Sequence, residues 1–182
     1  MKISDEELQA LKYPIGPFKR PLVINQDHIK KWKQDLSDLP YNLRKVTAGM
    51  RDRDLDKKYR PGGWTGRQVI HHIADSHMNA YIRFKWALTE EVPMIKAYDE
   101  EAWAKLDDSK ELPIDVSMKL IDALHHRWTY LIKQFRRKEW AKAYDHPDYE
   151  KPASLEIALA MYAWHSNHHI GHLQLIREQL KH

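Results

Sequence analysis

The sequence predicts an all-α fold: a four-helix bundle with an extended N-terminal arm and long connectors. Four long segments carry apolar residues at alternating steps of three and four, which is the spacing of one face of an amphipathic helix. The two-residue alternation typical of strands is nearly absent, and only 6 glycines occur among the 182 residues. A chain of this length fits one domain, so we expect residues 1–182 to form a single bundle domain.

The N-terminal part of the chain combines a proline-rich arm with the first long helix. Residues 1–24 contain three of the 9 prolines and are expected to form an extended arm on the bundle surface. The first apolar stripe then runs from Ile29 to Met50. Pro40 lies inside this stripe and has no backbone N–H, so we expect a kink or a break in the helix near Asp38.

The other three long helices have start signals in the sequence. Thr65 and Gln68 have the spacing of a capping box, so the second helix is predicted to begin at Thr65 and to run to about Leu88. The third helix is expected to begin near Asp115. The fourth begins at Ser154, a favourable N-cap residue, and continues to the C-terminus.

Two connectors separate these helices. Residues 91–114 contain two prolines and are expected to include one short helix after Asp99. Residues 140–153 contain a turn and are expected to include a short pair of strands.

The composition excludes several classes of protein. Cysteine is absent, which rules out disulfides, thiolate metal sites and a cysteine nucleophile. No apolar run approaches the ~20 residues that span a bilayer, and the N-terminus is acidic, so we expect a cytoplasmic protein without a membrane partner. The 30 basic and 26 acidic residues are interspersed, so we expect no nucleic-acid partner despite the net charge of +4.

Histidine is the unusual residue of this chain, with 12 copies, four of them within residues 165–172 of the last predicted helix. At about 100° per residue, His165 and His169 lie on or beside the apolar face of that helix, whereas His168 points toward its rim. Two histidines four residues apart on an inward face can chelate one metal ion. The segment lacks the internal glutamate of HExxH helices and therefore lacks their built-in general base.

The second predicted helix offers three further histidines. His77 falls inside the apolar face, His72 lies at its edge, and His71 points away from it. Periodicity alone therefore favours His77 over His72 as a partner of the pair in the last helix. The alternative interpretation is a buried structural histidine at position 77 and a solvated one at position 71.

Several segments resemble the YfiT-type branch of the DinB-like superfamily, most specifically the twenty residues from Arg60 to Asn79. The other similar segments, in chain order, are Tyr13–Gly16, Tyr81–Lys85, Leu88–Glu91, Tyr98–Glu100 and Trp164–His169. The resemblance extends over nearly the whole chain. It implies a four-helix bundle, a homodimer and a three-histidine site for one divalent metal ion, with zinc the first expectation and nickel the second.

Matched position by position, the ligands that the resemblance implies are His72, His165 and His169. The last two agree with the helix geometry, whereas His72 replaces the His77 that periodicity favours. A ligand at the edge of the apolar face suits a site that opens at one end of the bundle. Asp75 lies one helical turn from His72 and is expected to be solvated rather than to support that ring.

Three neutral imidazoles leave a bound metal with an open position, as in catalytic zinc sites. The resemblance implies a metal-dependent hydrolase, or a transferase of low-molecular-weight thiols such as bacillithiol. We therefore expect an enzyme that acts on a small-molecule substrate with activated water or a thiol cosubstrate. Asp99 and Glu100 are candidate acid or base groups, although Asp99 could simply cap a short helix.

Two other functional classes compete with this interpretation. A metal-binding bundle without turnover, such as a stress-response protein, would have the same ligands. A nucleic-acid binder is suggested only by the basic stretch Lys133–Lys138, which includes a core position.

Overall fold

The computed structural model describes residues 3–181, and four long helices dominate that part of the chain. The elements are α1 (Asp5–Lys12), α2 (Gln26–Thr47), α3 (Asp52–Leu55), α4 (Gly66–Thr89), α5 (Glu100–Trp103), α6 (Asp107–Glu111), α7 (Ile114–Lys133), α8 (Arg137–Trp140), β1 (Ala143–Tyr144), β2 (Ala153–Ser154) and α9 (Leu155–Glu178). Helices α2 and α4 each pack on both α7 and α9, so α2 and α4 occupy diagonal corners of a four-helix bundle. Within residues 3–181, no helix is both long and apolar enough to cross a membrane.

The N-terminal arm begins with a helix that the sequence analysis did not predict. In α1, the Ser4 hydroxyl accepts the Glu7 N–H and the Glu7 carboxylate accepts the Ser4 N–H, which forms a capping box. The three acidic residues of its first turn also complement the positive end of the helix dipole. After α1, the arm is non-helical from Tyr13 to Asn25.

Helix α2 continues through Pro40, so the break expected near Asp38 does not occur. Pro40 has no N–H to bond the carbonyl of Leu36 one turn earlier. The Nδ1–H of His125 on α7 donates to that carbonyl instead, with an N···O distance of 2.7 Å. Because a neighbouring helix supplies the missing donor, the chain remains helical on both sides of the proline.

The predicted start signals position the other long helices. The Thr65 N–H donates to the Gln68 side chain over 2.9 Å and the Gln68 N–H donates to the Thr65 hydroxyl over 3.2 Å, so the capping box of α4 is confirmed. Ser154 caps α9 as predicted, and Asp99 caps α5. The expected strand pair forms from β1 and β2, with Ala143 opposite Ser154.

The core consists of two apolar clusters with a layer of histidines between them. One cluster centres on Phe84, Trp128 and Leu155, and the other contains Ile73 and Leu173. Along α4 and α9, the residues between the two clusters include most of the buried histidines. Burying polar rings is unfavourable unless they are hydrogen-bonded, so this layer is where the fold places specific polar contacts.

Candidate metal centre

Three imidazoles converge where α4 packs against α9. His72 comes from α4, and His165 and His169 come from one face of α9. One ring nitrogen from each lies within 4.8 Å of the other two, and the Nε2 atoms of His72 and His165 are 3.1 Å apart. Two nitrogens bound at 2.0–2.1 Å to one tetrahedral zinc ion lie about 3.3 Å from each other. The spacing of this pair therefore suits two ligands of a single ion.

The same three rings are held in their neutral form. Burial, with a smaller contribution from the neighbouring His172, lowers the pKa of His72 to about 4. Burial likewise lowers the pKa values of His165 and His169 well below the usual value, with the surrounding histidines adding to the effect. A metal ligand must be a neutral imidazole, so these rings are ready to bind a cation at neutral pH.

A cavity of about 320 Å³ opens onto the three histidines. The residues that line it include Lys12, Arg60, Trp64, Glu100 and Glu101. The Trp64 ring lies 4.6 Å from the His72 ring, centroid to centroid, and its Nε1–H donates to the Glu101 carboxylate over 3.2 Å. A depression of about 530 Å³ between α2 and α7 is larger, but none of these side chains lines it. The smaller cavity is therefore the one that connects the three histidines to solvent.

The two acidic residues predicted as acid or base groups have different surroundings. The Asp99 carboxylate accepts the Ala102 N–H over 2.9 Å and caps α5. Glu100 lines the cavity, and burial raises the pKa of its carboxyl, helped by the neighbouring carboxylates of Glu101 and Asp99. Of the two residues, only Glu100 thus combines a position in the cavity wall with a raised pKa.

His77 points inward, as its periodicity predicts, but it lies behind the group of three. Its Nε2 is 3.0 Å from the Nδ1 of His165, and its Nδ1 is 3.0 Å from the Nε2 of His125. The ring is completely buried. His71 is also buried and contacts the Ser117 hydroxyl and the Leu112 carbonyl at 2.7 and 2.9 Å, so the solvated interpretation of His71 is wrong.

The structure also buries His172 and His168 of α9, although the helix geometry placed His168 toward the rim. His168 and His172 form a second close group with His169, whose ring nitrogens again lie within 4.8 Å of one another. The cover on this side is the N-terminal arm: a Cβ built on Gly171 would lie 2.8 Å from Pro14 Cγ. Only a glycine lets the arm pack this closely, and nothing within the α9 sequence signals that contact.

Sequence reasoning overlooked several residues of the cavity wall. Lys12, Tyr13 and Tyr59 line the cavity beside Arg60 and Trp64. Arg60 and Trp64 lie inside the twenty-residue block that carries most of the resemblance, and the resemblance was therefore the signal that could have identified them. No local pattern points to Lys12, because the arm reaches the site only in the folded chain.

Fold and site together define a four-helix-bundle protein with a histidine-lined cavity between two of its helices. Residues 35–173 match the DinB superfamily, and the chain belongs to that superfamily.

Several relatives share most of this sequence. The chain is 46% identical over 173 residues to a Bacillus licheniformis protein named a "putative metal-dependent hydrolase", across 95% of this chain and 98% of the relative. A Bacillus cereus protein with the same description is 47% identical over 173 residues, across 95% and 99% of the two chains.

A solved structure has the same fold. It is that of YfiT from Bacillus subtilis, described as "a probable metal-dependent hydrolase with an unusual four-helix bundle topology". It superposes with a TM-score of 0.91 at 45% identity and covers 94% of this chain and 98% of its own.

Proposed function

We propose that this chain is a divalent-metal-dependent enzyme whose ion is held by His72, His165 and His169. The observation that carries the proposal is the convergence of three neutral ring nitrogens at the inner end of a cavity. The names of the relatives, metal-dependent hydrolases, support the same class of activity.

The donor set fits a borderline transition metal. Imidazole nitrogens suit zinc and nickel, whereas magnesium and calcium prefer oxygen ligands. Zinc is our first choice for the native ion and nickel the second. When bound, such an ion supplies Lewis-acid chemistry that lowers the pKa of a coordinated water or thiol toward neutral pH.

The chain's own residues supply the rest of the site. Glu100, with its raised pKa, can take a proton from the attacking nucleophile and return it to the leaving group. Lys12 and Arg60 line the cavity and favour an anionic group on the reactant. Trp64, fixed by its hydrogen bond to Glu101, forms a flat wall beside His72.

A thiol nucleophile would have to come from solution, because the chain contains no cysteine. Water makes the enzyme a hydrolase, the activity that the names of the relatives support. The second candidate is transfer of a low-molecular-weight thiol, such as bacillithiol, to an electrophile. Lys12 and Arg60 favour this second candidate, since they could hold a carboxylate of the thiol while its sulfur reaches the histidines.

Elemental analysis of purified variants tests the ligand assignment. His72→Ala, His165→Ala and His169→Ala should each lose stoichiometric metal. His71→Ala is the matched control, because His71 is also buried in α4 but contacts Ser117 and Leu112 instead of the cavity. Full metal content in His165→Ala would contradict the proposal.

Two activity panels on the metal-loaded protein then separate the reactions. Ester and amide substrates test hydrolysis, and thiol addition to electrophiles tests transfer. Turnover in either panel that the three alanine variants lose supports the proposal. Metal binding without turnover in both would leave a binding protein in place of an enzyme.

A further inference from the structure

We propose that two chains of hydrogen-bonded histidines set the tautomers of His165 and His169, so that both rings present Nε2 to the metal. The longer chain runs through His77 and His125, and the shorter one through His172. The inference rests on the proposed metal site and assigns three positioning residues to it.

The direction of every hydrogen bond in the longer chain follows from its last acceptor. The carbonyl of Leu36 can only accept, so Nδ1 of His125 carries the proton across their 2.7 Å contact. A neutral imidazole has a single N–H, so Nε2 of His125 must accept from Nδ1–H of His77. Nε2 of His77 then accepts from Nδ1–H of His165. The lone pair of His165 is left on Nε2, which faces His72.

The longer chain of hydrogen bonds requires neutral histidine rings, and the buried surroundings of these rings keep them neutral. Burial lowers the pKa of His125 to about 4 and that of His77 well below its usual value. Trp128 and Tyr162 contact the His77 ring edge-on, with centroid distances of 5.9 and 5.4 Å. The central ring is therefore held in position and shielded from water, which could otherwise bond either nitrogen.

The origin of the longer chain lies in the sequence of α2. Pro40 leaves the Leu36 carbonyl without its helical donor, and that carbonyl accepts the His125 proton. The hydrogen bonds then pass from α2 to α7, from α7 to α4 and from α4 to α9. One proline in α2 thus helps to determine which nitrogen of His165 on α9 is free.

The shorter chain applies the same logic to His169. The Lys12 carbonyl accepts from Nε2–H of His172 over 3.1 Å, so the lone pair of His172 is on Nδ1. That atom lies 3.3 Å from Nδ1 of His169 and accepts its proton. The free nitrogen of His169 is again Nε2. The N-terminal arm therefore supports a ligand more than 150 positions away in the chain.

A histidine with the opposite tautomer would point an N–H at the cation. Residues that hydrogen-bond to a metal ligand and prevent this opposite tautomer usually raise the metal affinity 10- to 100-fold. In the metal-free protein, the 3.1 Å contact between His72 and His165 also requires one proton. Since His165 offers a lone pair there, His72 is the donor.

Nitrogen NMR of the histidine-labelled, metal-free protein tests the tautomers directly and needs no variant. We expect protonation at Nδ1 for His77, His125, His165 and His169, and at Nε2 for His72 and His172. Protonation of His165 at Nε2 would overturn the proposal for the longer chain, and protonation of His169 at Nε2 would overturn it for the shorter one.

Zinc titration of variants tests the consequence. His77→Phe should bind zinc about 10- to 100-fold more weakly than the unaltered chain. His77→Gln should restore most of the affinity, because its amide offers both an N–H donor and an oxygen acceptor. The matched control is His71→Phe, another buried α4 histidine with two polar contacts, which should leave the affinity unchanged.

The outcomes separate this inference from the proposed function. If the unaltered chain binds zinc and His77→Phe binds it equally well, the positioning role is wrong and the metal site stands. If the unaltered chain binds neither zinc nor nickel, the proposed function fails, and the NMR spectrum still decides the tautomers. Circular dichroism and thermal unfolding of each variant confirm that an affinity loss is measured on folded protein.

Discussion

Asp75 on α4 is a carboxylate that should destabilise the protein at neutral pH. The sequence analysis expected it to be solvated, but the folded chain half-buries it one helical turn from His72. Burial raises the pKa of Asp75 from 3.8 to about 6, and the nearby Asp108 carboxylate adds to the effect. Folding therefore makes it harder for this side chain to ionise.

The sign and size of the effect follow from the two pKa values. A carboxyl whose pKa is higher in the folded state contributes nothing unfavourable below about pH 4, and the penalty grows as the pH rises through 6. Each pKa unit corresponds to about 1.4 kcal/mol, which gives an upper limit of about 3 kcal/mol for Asp75. Solvent reaches the half-buried side chain, so we reduce the expected penalty to about 1–2 kcal/mol.

Asp75→Asn removes the charge and retains the shape of the side chain. Thermal unfolding with a chelator present should show the variant about 2–8 °C more stable than the unaltered chain at pH 8. The difference should become smaller at pH 4.5. Asp115→Asn is the control, because the exposed Asp115 pairs with Lys119 over 2.8 Å and its pKa is lowered, so its removal should bring no gain. A less stable Asp75→Asn variant at pH 8, or an equal gain at both pH values, would refute this reasoning.

Three further predictions concern the site and its cover. Glu100→Gln should lower kcat by about 10²- to 10⁴-fold without changing the zinc content, and normal turnover would exclude Glu100 as the proton carrier. Gly171→Ala should lower the unfolding temperature, because the added methyl group would overpack against Pro14 at a cost of about 1–3 kcal/mol. The higher helix propensity of alanine offsets only about 1 kcal/mol of this cost. A more stable variant would show that the arm can move away from the helix at little cost. Zinc should remain bound as the pH falls through 6.5, the pKa of a free imidazole, since burial holds the pKa of His72 near 4. Elemental analysis after dialysis at graded pH measures this, and loss of zinc already at pH 6.5 would count against buried ligands.

The long helices could be predicted because their signals are local. Thr65 and Ser154 are capping residues next to apolar stripes, and both cap helices in the folded chain. The continuity of α2 through Pro40 could not be predicted, because the donor that replaces the missing N–H comes from His125 on α7. Helix α1 has its own local signal in Ser4 and Glu7, which the density of prolines in the arm obscured.

The site was predictable to the extent that helix faces define it. Periodicity places His165, His169 and His77 inward, and in the folded bundle the His165 ring contacts both of the other two. It cannot tell a ring that faces the cavity from one that lies behind it, so the choice of His72 over His77 came from the resemblance alone. The burial of His172 depends on the arm, a contact between distant parts of the chain.

The central claim is that one cation is bound by His72, His165 and His169. Crystals of the zinc-loaded protein, measured on both sides of the zinc absorption edge, test it most directly. We predict one anomalous peak per chain, about 2.0–2.1 Å from a ring nitrogen of each of these residues. A peak bound instead by His168, His169 and His172, the second close group of histidines, would contradict it.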